Sequence, residues 1–244
     1  MQLFLYLKLI SYYNLIMKKI FVVAAHPDDE VLGCGGTLLK HQKNGDKIFI
    51  LFISEGVSAR YKNKNDSKCL REIKDRQAMA IKASKLAKFK IVDFMNLRNL
   101  ELGSYPHTYI SNKIIEYFKK YKPDIVYTHY EYDLNIDHYH TFFSTFVACR
   151  PNNYFNIKKL LSFEIPSSTD WGIKDKNKIF CPNYFVDIKP FMKAKKKLLN
   201  CYKNEIRKPP HSRSYKNIVS LSNYRGGIVG VENAEAFVVN KILV

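Results

Sequence analysis

The alternation of short apolar runs with helix-like segments predicts an α/β fold. We expect a Rossmann-like, mostly parallel sheet flanked by helices on both faces, with additional strands towards the C-terminus. The apolar runs are continuous instead of alternating with polar residues, as is typical of strands buried on both faces. At 244 residues the chain is long enough for one domain with a substantial core.

Each element follows from its local pattern. The apolar run KIFVVAA predicts the first strand. Gly45 and Asp46 separate the first helix from the second strand, and Pro123 marks the start of the fourth strand. Strands are predicted at residues 19–25, 47–53, 90–94, 124–128, 160–165, 184–188 and 236–239. Helices are predicted at about 30–43, 68–87, 107–121 and 189–204. There is no internal repeat and no long linker, so residues 17–244 are predicted to form one domain.

The composition is that of a globular protein with a strong positive charge. Hydrophobic residues make up 46% and charged residues 25%, which excludes disordered and low-complexity classes. The 40 Lys and Arg against 22 Asp and Glu give a net charge of +18. Lysines are spread along a chain rich in Lys, Ile, Asn and Tyr, a bias typical of AT-rich codon usage. An anionic substrate or a weak affinity for membrane surfaces is the alternative explanation of the charge.

The cysteines and the hydropathy pattern indicate the cellular compartment of the protein. Five cysteines with no C-x-x-C pair indicate unpaired thiols in a reducing compartment, so we expect a cytoplasmic protein. No uncharged apolar stretch approaches the roughly 20 residues of a membrane span. A transmembrane segment is therefore not expected.

Residues 1–16 are apolar and aromatic, but they do not have the pattern of a secretory signal. Lys8 interrupts the stretch, and no small-residue cleavage site follows. We expect a non-essential in-frame extension ahead of a natural start at Met17, so that its removal preserves folding and activity. A membrane-associating amphipathic lead is the alternative.

Two segments at predicted strand ends are rich in metal-ligand side chains. HPDDE (residues 26–30) follows the first strand, and THYEYDLNIDHYH (residues 128–140) begins at the end of the fourth. In open α/β sheets the functional crevice lies beyond the carboxyl ends of the strands. Adjacent carboxylates repel each other there, and a divalent cation removes that cost. Unrelated surface carboxylates and histidines are the alternative, but two such segments at neighbouring strand ends favour a metal site.

The order of residues in these segments suggests particular roles. Pro27 fixes the turn, which helps His26 and Asp29 converge on one point. His138 would supply a third ligand and leave an open position for water, the layout of a catalytic zinc site. Asp28 would then be placed to accept a proton from that water.

The segment VAAHPDDEVLGCGGT (residues 23–37) closely resembles the signature of the PIG-L/LmbE superfamily of metal-dependent deacetylases. The resemblance extends from Lys18 to the end of the chain. The segment DLNIDH (residues 133–138) resembles the second ligand motif of the family. Arg225-Gly226 and AEAF (residues 234–237) resemble its C-terminal pattern. Enzymes of this superfamily remove the acetyl group from N-acetylglucosamine-type substrates, usually with zinc.

The resemblance implies that His26, Asp29 and His138 bind the metal and that Asp28 is the general base. One Zn²⁺ per chain is expected, and Fe²⁺ or another divalent metal stays open because these ligands bind several. Arg60, which follows the second strand, lies where the family contacts its substrate. Its guanidinium would hold a phosphate or hydroxyl group there, and a solvated loop arginine is the alternative.

One position departs from the family pattern. Many members have a second histidine three residues before the last ligand, oriented by an intervening acid; here that position is Asn135, and the acid is Asp137. An asparagine donates a hydrogen bond but cannot act as a protonated acid. The proton donor to the leaving amine is therefore left open between Asp28, His140 and His129.

Three neighbouring features have structural interpretations. The glycines in GCGG (residues 33–36) lack the spacing of a phosphate loop and are expected to let the first helix pack closely on the sheet. Cys34 is expected to be a buried thiol. Arg76 is expected to form a structural ion pair.

We therefore expect a hydrolase that removes the acetyl group from an N-acetylated amino sugar or its conjugate and releases acetate. The substrate would be a small molecule, with a phosphate- or lipid-linked carrier left open, and no specific nucleic-acid partner is expected. Two alternatives remain. One is an amide hydrolase acting on a non-sugar N-acyl group, and the other is a basic nucleotide- or nucleic-acid-binding Rossmann module.

Overall fold

The computed structural model describes residues 17–151, 155–172 and 175–244. The prediction about residues 1–16 lies outside this described part. The strands are β1 (Lys19–Ala24), β2 (Lys47–Ser54), β3 (Lys90–Leu97), β4 (Ile125–His129), β5 (Lys159–Phe163), β6 (Tyr184–Asp187) and β7 (Ala234–Ile242). The helices are α1 (Asp29–Lys43), α2 (Ser67–Ala87), α3 (His107–Tyr121), α4 (Ile136–Ala148), α5 (Met192–Leu199) and α6 (Tyr215–Val229).

The seven strands form one mixed sheet in the order β3-β2-β1-β4-β5-β7-β6. The five strands from β3 to β5 are mutually parallel, and β7 pairs antiparallel with both β5 and β6. The prediction of a mostly parallel sheet with additional C-terminal strands is confirmed. Strands β2 and β3 lie on one side of β1, whereas β4 and β5 lie on the other. The carboxyl ends of β1 and β4 therefore form the topological switch point, where ligands bind in sheets of this kind.

Helices cover both faces of the sheet, as the continuous apolar strands predict. Along β1, Ile20 and Val22 pack on one face with residues of α1, α2, α5 and α6. Phe21 and Val23 pack on the other face with residues of α3 and the end of α4. Each central strand therefore contributes to two cores. No helix in the described ranges is both long and apolar enough to cross a membrane.

Two helices, α4 and α6, are absent from the sequence prediction, and the predicted basic helix is shorter than expected. The regular part of that helix is α5, with single 3₁₀ turns on either side. The sequence of α6 contains adjacent glycines and β-branched residues, which are weak helix formers. Its start is instead fixed by Ser214, whose side chain accepts a hydrogen bond from the Asn217 amide.

The first helix bends at Cys34, where the backbone leaves helical geometry (φ −142°, ψ 16°). The amides of Gly36 and Thr37 donate instead to the Glu235 carboxylate of β7, at 2.8 and 2.7 Å. Lys195 donates to the same carboxylate and balances its charge. A Cβ built on Gly33 would lie 2.4 Å from the Phe163 ring of β5, so the predicted close packing of α1 on the sheet is confirmed.

Candidate metal centre

The two ligand-rich segments meet because β1 and β4 are hydrogen-bonded parallel neighbours. Phe21 pairs with Val126 and Val22 with Tyr127, so the two strands end at the same edge of the sheet. His26 and Asp29 follow β1, and His138 lies in the first turn of α4 after β4. The switch point of the sheet therefore carries the residues that the motif analysis singles out.

Three side-chain atoms face one another at this point. His26 Nδ1 lies 3.3 Å from Asp29 Oδ2, and His138 Nε2 lies 3.3 Å from His26 Nδ1 and 3.5 Å from Asp29 Oδ2. All three residues are buried. Within the described part of the chain, this is the one cluster of three or more His, Cys, Asp or Glu side chains with metal-binding spacing.

The remaining nitrogen of each histidine contacts a carboxylate. His26 Nε2 lies 3.0 Å from Asp137 Oδ2, and His138 Nδ1 lies 3.1 Å from Asp133 Oδ2. A carboxylate behind the imidazole is the arrangement that fixes the orientation of metal-ligating histidines. His26 and His138 thus present different ring nitrogens, Nδ1 and Nε2, to a common point.

These residues fit a divalent cation. Tetrahedral ligands with bonds of about 2.0–2.1 Å are separated by about 3.3–3.4 Å, close to the three separations observed here. Asp29 Oδ1 is buried and has no hydrogen-bond partner among the described residues, which leaves one polar atom of the cluster for a cation or its water to satisfy. Two imidazoles and one carboxylate form a donor set that zinc, iron(II) and related metals accept.

Asp28, the predicted base, lies beside this cluster in an unusual backbone conformation (φ 126°). Its Oδ1 accepts from Arg76 Nη2 at 3.0 Å, and its Oδ2 accepts from Arg213 Nη1 at 3.3 Å. Burial raises the pKa of the Asp28 carboxyl, while the two guanidinium groups act in the opposite direction. A positive φ at a non-glycine residue is costly and is typical of sites whose geometry the surroundings enforce.

The three consecutive acids of the motif have separate environments. Glu30 accepts from the Tyr202 hydroxyl at 2.5 Å and from the Asp28 amide at 3.0 Å, and burial raises its pKa to about 8. Asp28 is paired with two arginines. Two guanidinium groups therefore offset the charge of Asp28, and burial favours the neutral form of Glu30. Asp29 is the acid whose Oδ2 faces the two histidines.

Asn135 and Asp137 lie at the start of α4. The side-chain oxygen of Asn135 accepts from the Asp137 amide at 2.9 Å and caps the helix. Asp137 also accepts from the amides of Leu100 and Leu102, which hold its carboxylate against His26. Its carboxylate therefore contacts the candidate metal ligand His26, and its amide contacts Asn135.

The two alternative proton donors occupy different surroundings. His129 Nε2 accepts from the Ala25 amide at 2.8 Å, and its fully buried ring stacks on His138 with centroids 3.9 Å apart. His140 lies on α4 with its ring beside His107, at a centroid distance of 5.2 Å. Its imidazole is therefore in contact with α3 residues and not with the three candidate ligands.

The arginines extend the charge network away from the metal cluster. Arg60 pairs with Glu72 and Glu205, each at 3.2 Å, and its side chain is 40% exposed. Arg76 pairs with Glu205 as well as Asp28, so the predicted structural ion pair is confirmed and reaches the predicted base.

Sequence analysis missed Arg213 and gave no role to Asp133. Arg213 is 185 residues from Asp28 and lies in no recognisable motif, so no local signal indicates their contact. Asp133 lies inside the second motif, so a signal for it was present. Cys34 is buried and unpaired, as expected.

Comparisons with known proteins agree with this architecture. A family model described as GlcNAc-PI de-N-acetylase (PIG-L) matches residues 21–149, more than half of the chain. N,N'-diacetylchitobiose deacetylase from Pyrococcus horikoshii is 21% identical, with a TM-score of 0.73 over 92% of this chain and 84% of that one.

Two other solved structures share the fold. The 4-carboxy-2-hydroxymuconate hydratase GalB from Pseudomonas putida is 19% identical, with a TM-score of 0.70 over 93% and 98% of the two chains. A zinc-inhibited form of teicoplanin deacetylase is 13% identical, with a TM-score of 0.67 over 91% and 98%. At such identities the likeness establishes the fold, and the chemistry has to be argued from the site.

Proposed function

Because the chain belongs to the GlcNAc-PI de-N-acetylase (PIG-L) family, we propose that it is a metal-dependent N-deacetylase. The proposed reaction removes the acetyl group from an N-acetylated amino sugar or its conjugate and releases acetate. The observation that carries the proposal is the buried His26–Asp29–His138 cluster with Asp28 beside it. The amino-sugar part is supported by the family description and by the similarity to a diacetylchitobiose deacetylase.

We propose one divalent metal per chain, with Zn²⁺ first and Fe²⁺ as the alternative. The ligands would be His26 Nδ1, Asp29 Oδ2 and His138 Nε2. A divalent cation in such a site polarises an amide carbonyl and lowers the pKa of water in its coordination shell. One similar solved structure is a zinc-inhibited form of a deacetylase, so acetate release with Zn²⁺ and with Fe²⁺ should be compared directly.

Asp28 is proposed to transfer the protons of the reaction. Its carboxylate accepts a proton from the attacking water as the oxygen adds to the acetyl carbon. Breaking the C–N bond then requires a proton on the departing nitrogen, and the same carboxyl group donates it. The products are acetate and a free amine. Arg76 and Arg213 hold the two oxygens of Asp28 in place through this cycle.

Three observations on neighbouring residues support Asp28 as the group that transfers the protons. Asn135 uses its side-chain oxygen to cap α4 and carries no transferable proton. His129 Nε2 accepts a backbone hydrogen bond, and the ring is fully buried. His140 is turned towards His107.

The remaining assignments follow from the same proposal. Residues 17–244 would form one deacetylase domain, and Arg60 would contact the substrate at the rim of the site. A cytoplasmic location is supported by the cysteines, all five of which are unpaired. An amide hydrolase acting on a non-sugar N-acyl group is the second candidate, since the similar fold of a hydratase accommodates a different substrate.

Metal analysis of protein purified without chelators, combined with acetate release from a panel of N-acetylglucosamine conjugates, tests the proposal. We expect about one metal per chain, together with release that a chelator abolishes and added metal restores. Metal without release from any sugar would move the assignment to the non-sugar candidate. A protein that stays metal-free after loading would overturn the proposal and favour a basic binding module.

A further inference from the structure

Asp133 is buried in the candidate metal centre, and neither the motif analysis nor the family comparison gives it a role. We propose that Asp133 is a positioning residue, which orients His138 for metal binding and is itself held by Ser168 and Thr169. This inference rests on the proposed function, because it concerns the same metal centre. It adds a specific device by which this chain prepares one of the ligands.

The contact with His138 determines which nitrogen faces the cluster. Asp133 Oδ2 lies 3.1 Å from His138 Nδ1, and both side chains are fully buried. An ionised carboxylate only accepts hydrogen bonds, so Nδ1 carries the proton that is shared between them. In the neutral imidazole the lone pair then lies on Nε2, which faces His26 Nδ1 and Asp29 Oδ2. Asp133 thereby selects the tautomer that binds a cation.

The carboxylate of Asp133 is anchored from two parts of the fold. On its own loop, the Asn135 amide donates to Oδ1 at 3.0 Å. From the segment after β5, Ser168 Oγ donates to Oδ1 and Thr169 Oγ1 donates to Oδ2 at 2.7 Å. Thr169 Oγ1 also accepts from the Ile165 amide at 2.8 Å, which ties it to the end of β5.

This anchoring leaves the carboxylate little freedom to move away from His138. Its four contacts are directed to both oxygens, and three of them come from protein donors other than the imidazole. A side chain that only tied two loops together would need no contact with a metal ligand. Asp137 makes the equivalent contact with His26, so both candidate ligand histidines have a carboxylate behind them.

The test compares Asp133→Asn with a matched control. Asparagine keeps the size and an acceptor oxygen but removes the charge. The control is Asp124→Asn. Asp124 lies before β4, at the opposite end of the strand from Asp133, and its carboxylate also accepts a backbone hydrogen bond, from the Lys19 amide at 2.9 Å. Zn²⁺ affinity is measured on the full chain by competition with a chromogenic chelator. The visible absorption spectrum of bound Co²⁺ and the melting temperature of the metal-free protein are recorded in parallel.

We expect Asp133→Asn to weaken Zn²⁺ binding by about 10- to 100-fold, the usual effect of losing such a partner. The Co²⁺ spectrum should shift, and Asp124→Asn should bind both metals like the wild type. If Asp133→Asn does not fold, Ser168→Ala takes its place and is expected to weaken Zn²⁺ binding measurably.

Two results would overturn the inference. Unchanged Zn²⁺ affinity in Asp133→Asn would show that its contact with His138 does not act on the metal. Where Ser168→Ala decides, unchanged affinity would show that the anchoring of Asp133 does not. An equal loss in Asp124→Asn would reduce the effect to general destabilisation. Either result leaves the proposed function intact as long as the wild-type protein binds Zn²⁺. A wild-type protein that binds no Zn²⁺ would overturn the proposed function together with this inference.

Discussion

The backbone and side chain of Asp28 are both constrained. The residue has φ 126°, and its carboxylate lies between a buried guanidinium from α2 and a partly exposed one from the loop before α6. The residue lies between the candidate ligands His26 and Asp29 in the chain, and the two arginines fix the position of each carboxylate oxygen. This arrangement suits a group that has to accept a proton at one defined place.

We therefore expect Asp28→Asn to lose at least about 100-fold in turnover, because the amide cannot accept the proton of the attacking water. Metal content should stay at the wild-type level, since Asp28 is not among the three facing ligand atoms. Steady-state kinetics and elemental analysis of the same preparation measure the two quantities. Full activity in this variant would refute the role of Asp28 as the base.

Asn135 is a residue whose helix-capping contact is visible only in the structure. Its Oδ1 accepts from the Asp137 amide at the start of α4. Asn135→Ala should lower the free energy of unfolding by about 0.5–2 kcal/mol, the usual cost of losing an N-cap. Asn135→Ser keeps a capping oxygen and serves as the control, with chemical denaturation as the measurement. An alanine variant as stable as the wild type would contradict the capping role.

Among the elements, α1 packs closely on the sheet. Gly33 faces Phe163 and Ile165, which leave no room for a side chain. The bend at Cys34 interrupts the helical hydrogen bonds, and Glu235 of β7 accepts from the amides that the bend frees. The helix that begins at the candidate ligand Asp29 is therefore positioned by strands far away in the sequence.

Gly33→Ala should destabilise the protein by about 1–3 kcal/mol, because the added Cβ would lie 2.4 Å from a ring carbon of Phe163. Gly227→Ala is the matched control, since Gly227 lies in α6 with no atom within 4 Å of a built Cβ. That substitution should be neutral or stabilising by up to about 1 kcal/mol. Urea denaturation measures both. Equal effects of the two substitutions would contradict the packing argument.

The elements also show why the sequence prediction stopped short. Strands β1 and β2 are continuous apolar runs, so their pattern alone indicates them, and Pro123 marks the start of the shorter β4. Helix α6 has weak intrinsic propensity, and its start depends on Ser214. Helix α4 begins inside the ligand motif, where polar residues serve the site and obscure the helical pattern. Neither missed helix has a strong local helical pattern, and packing of a helix face against the rest of the fold supplies most of the stability of such helices.

For the molecule as a whole, metal binding should be coupled to stability. A ligand that binds the folded state at 100 times its Kd adds about 2.7 kcal/mol to the free energy of unfolding. We expect Zn²⁺ to raise the urea midpoint and a chelator to reverse the change. In His138→Ala the added Zn²⁺ should have no such effect, whatever the stability of its metal-free form. A wild-type midpoint that does not respond to Zn²⁺ would contradict the metal-centre assignment.

The sequence by itself determined the α/β class and the central strands, because short continuous apolar runs between helix-like segments are typical of strands buried on both faces. It also indicated His26, Asp29 and His138 as the candidate ligands through a compact motif after β1 and another after β4. Only the tertiary structure decided the groups around them. Arg213 contacts Asp28, which lies 185 residues away in the sequence, and Ser168 contacts Asp133, which lies 35 residues away. Such contacts depend on strand order and on how separate loops fold over one edge of the sheet, which no local pattern encodes.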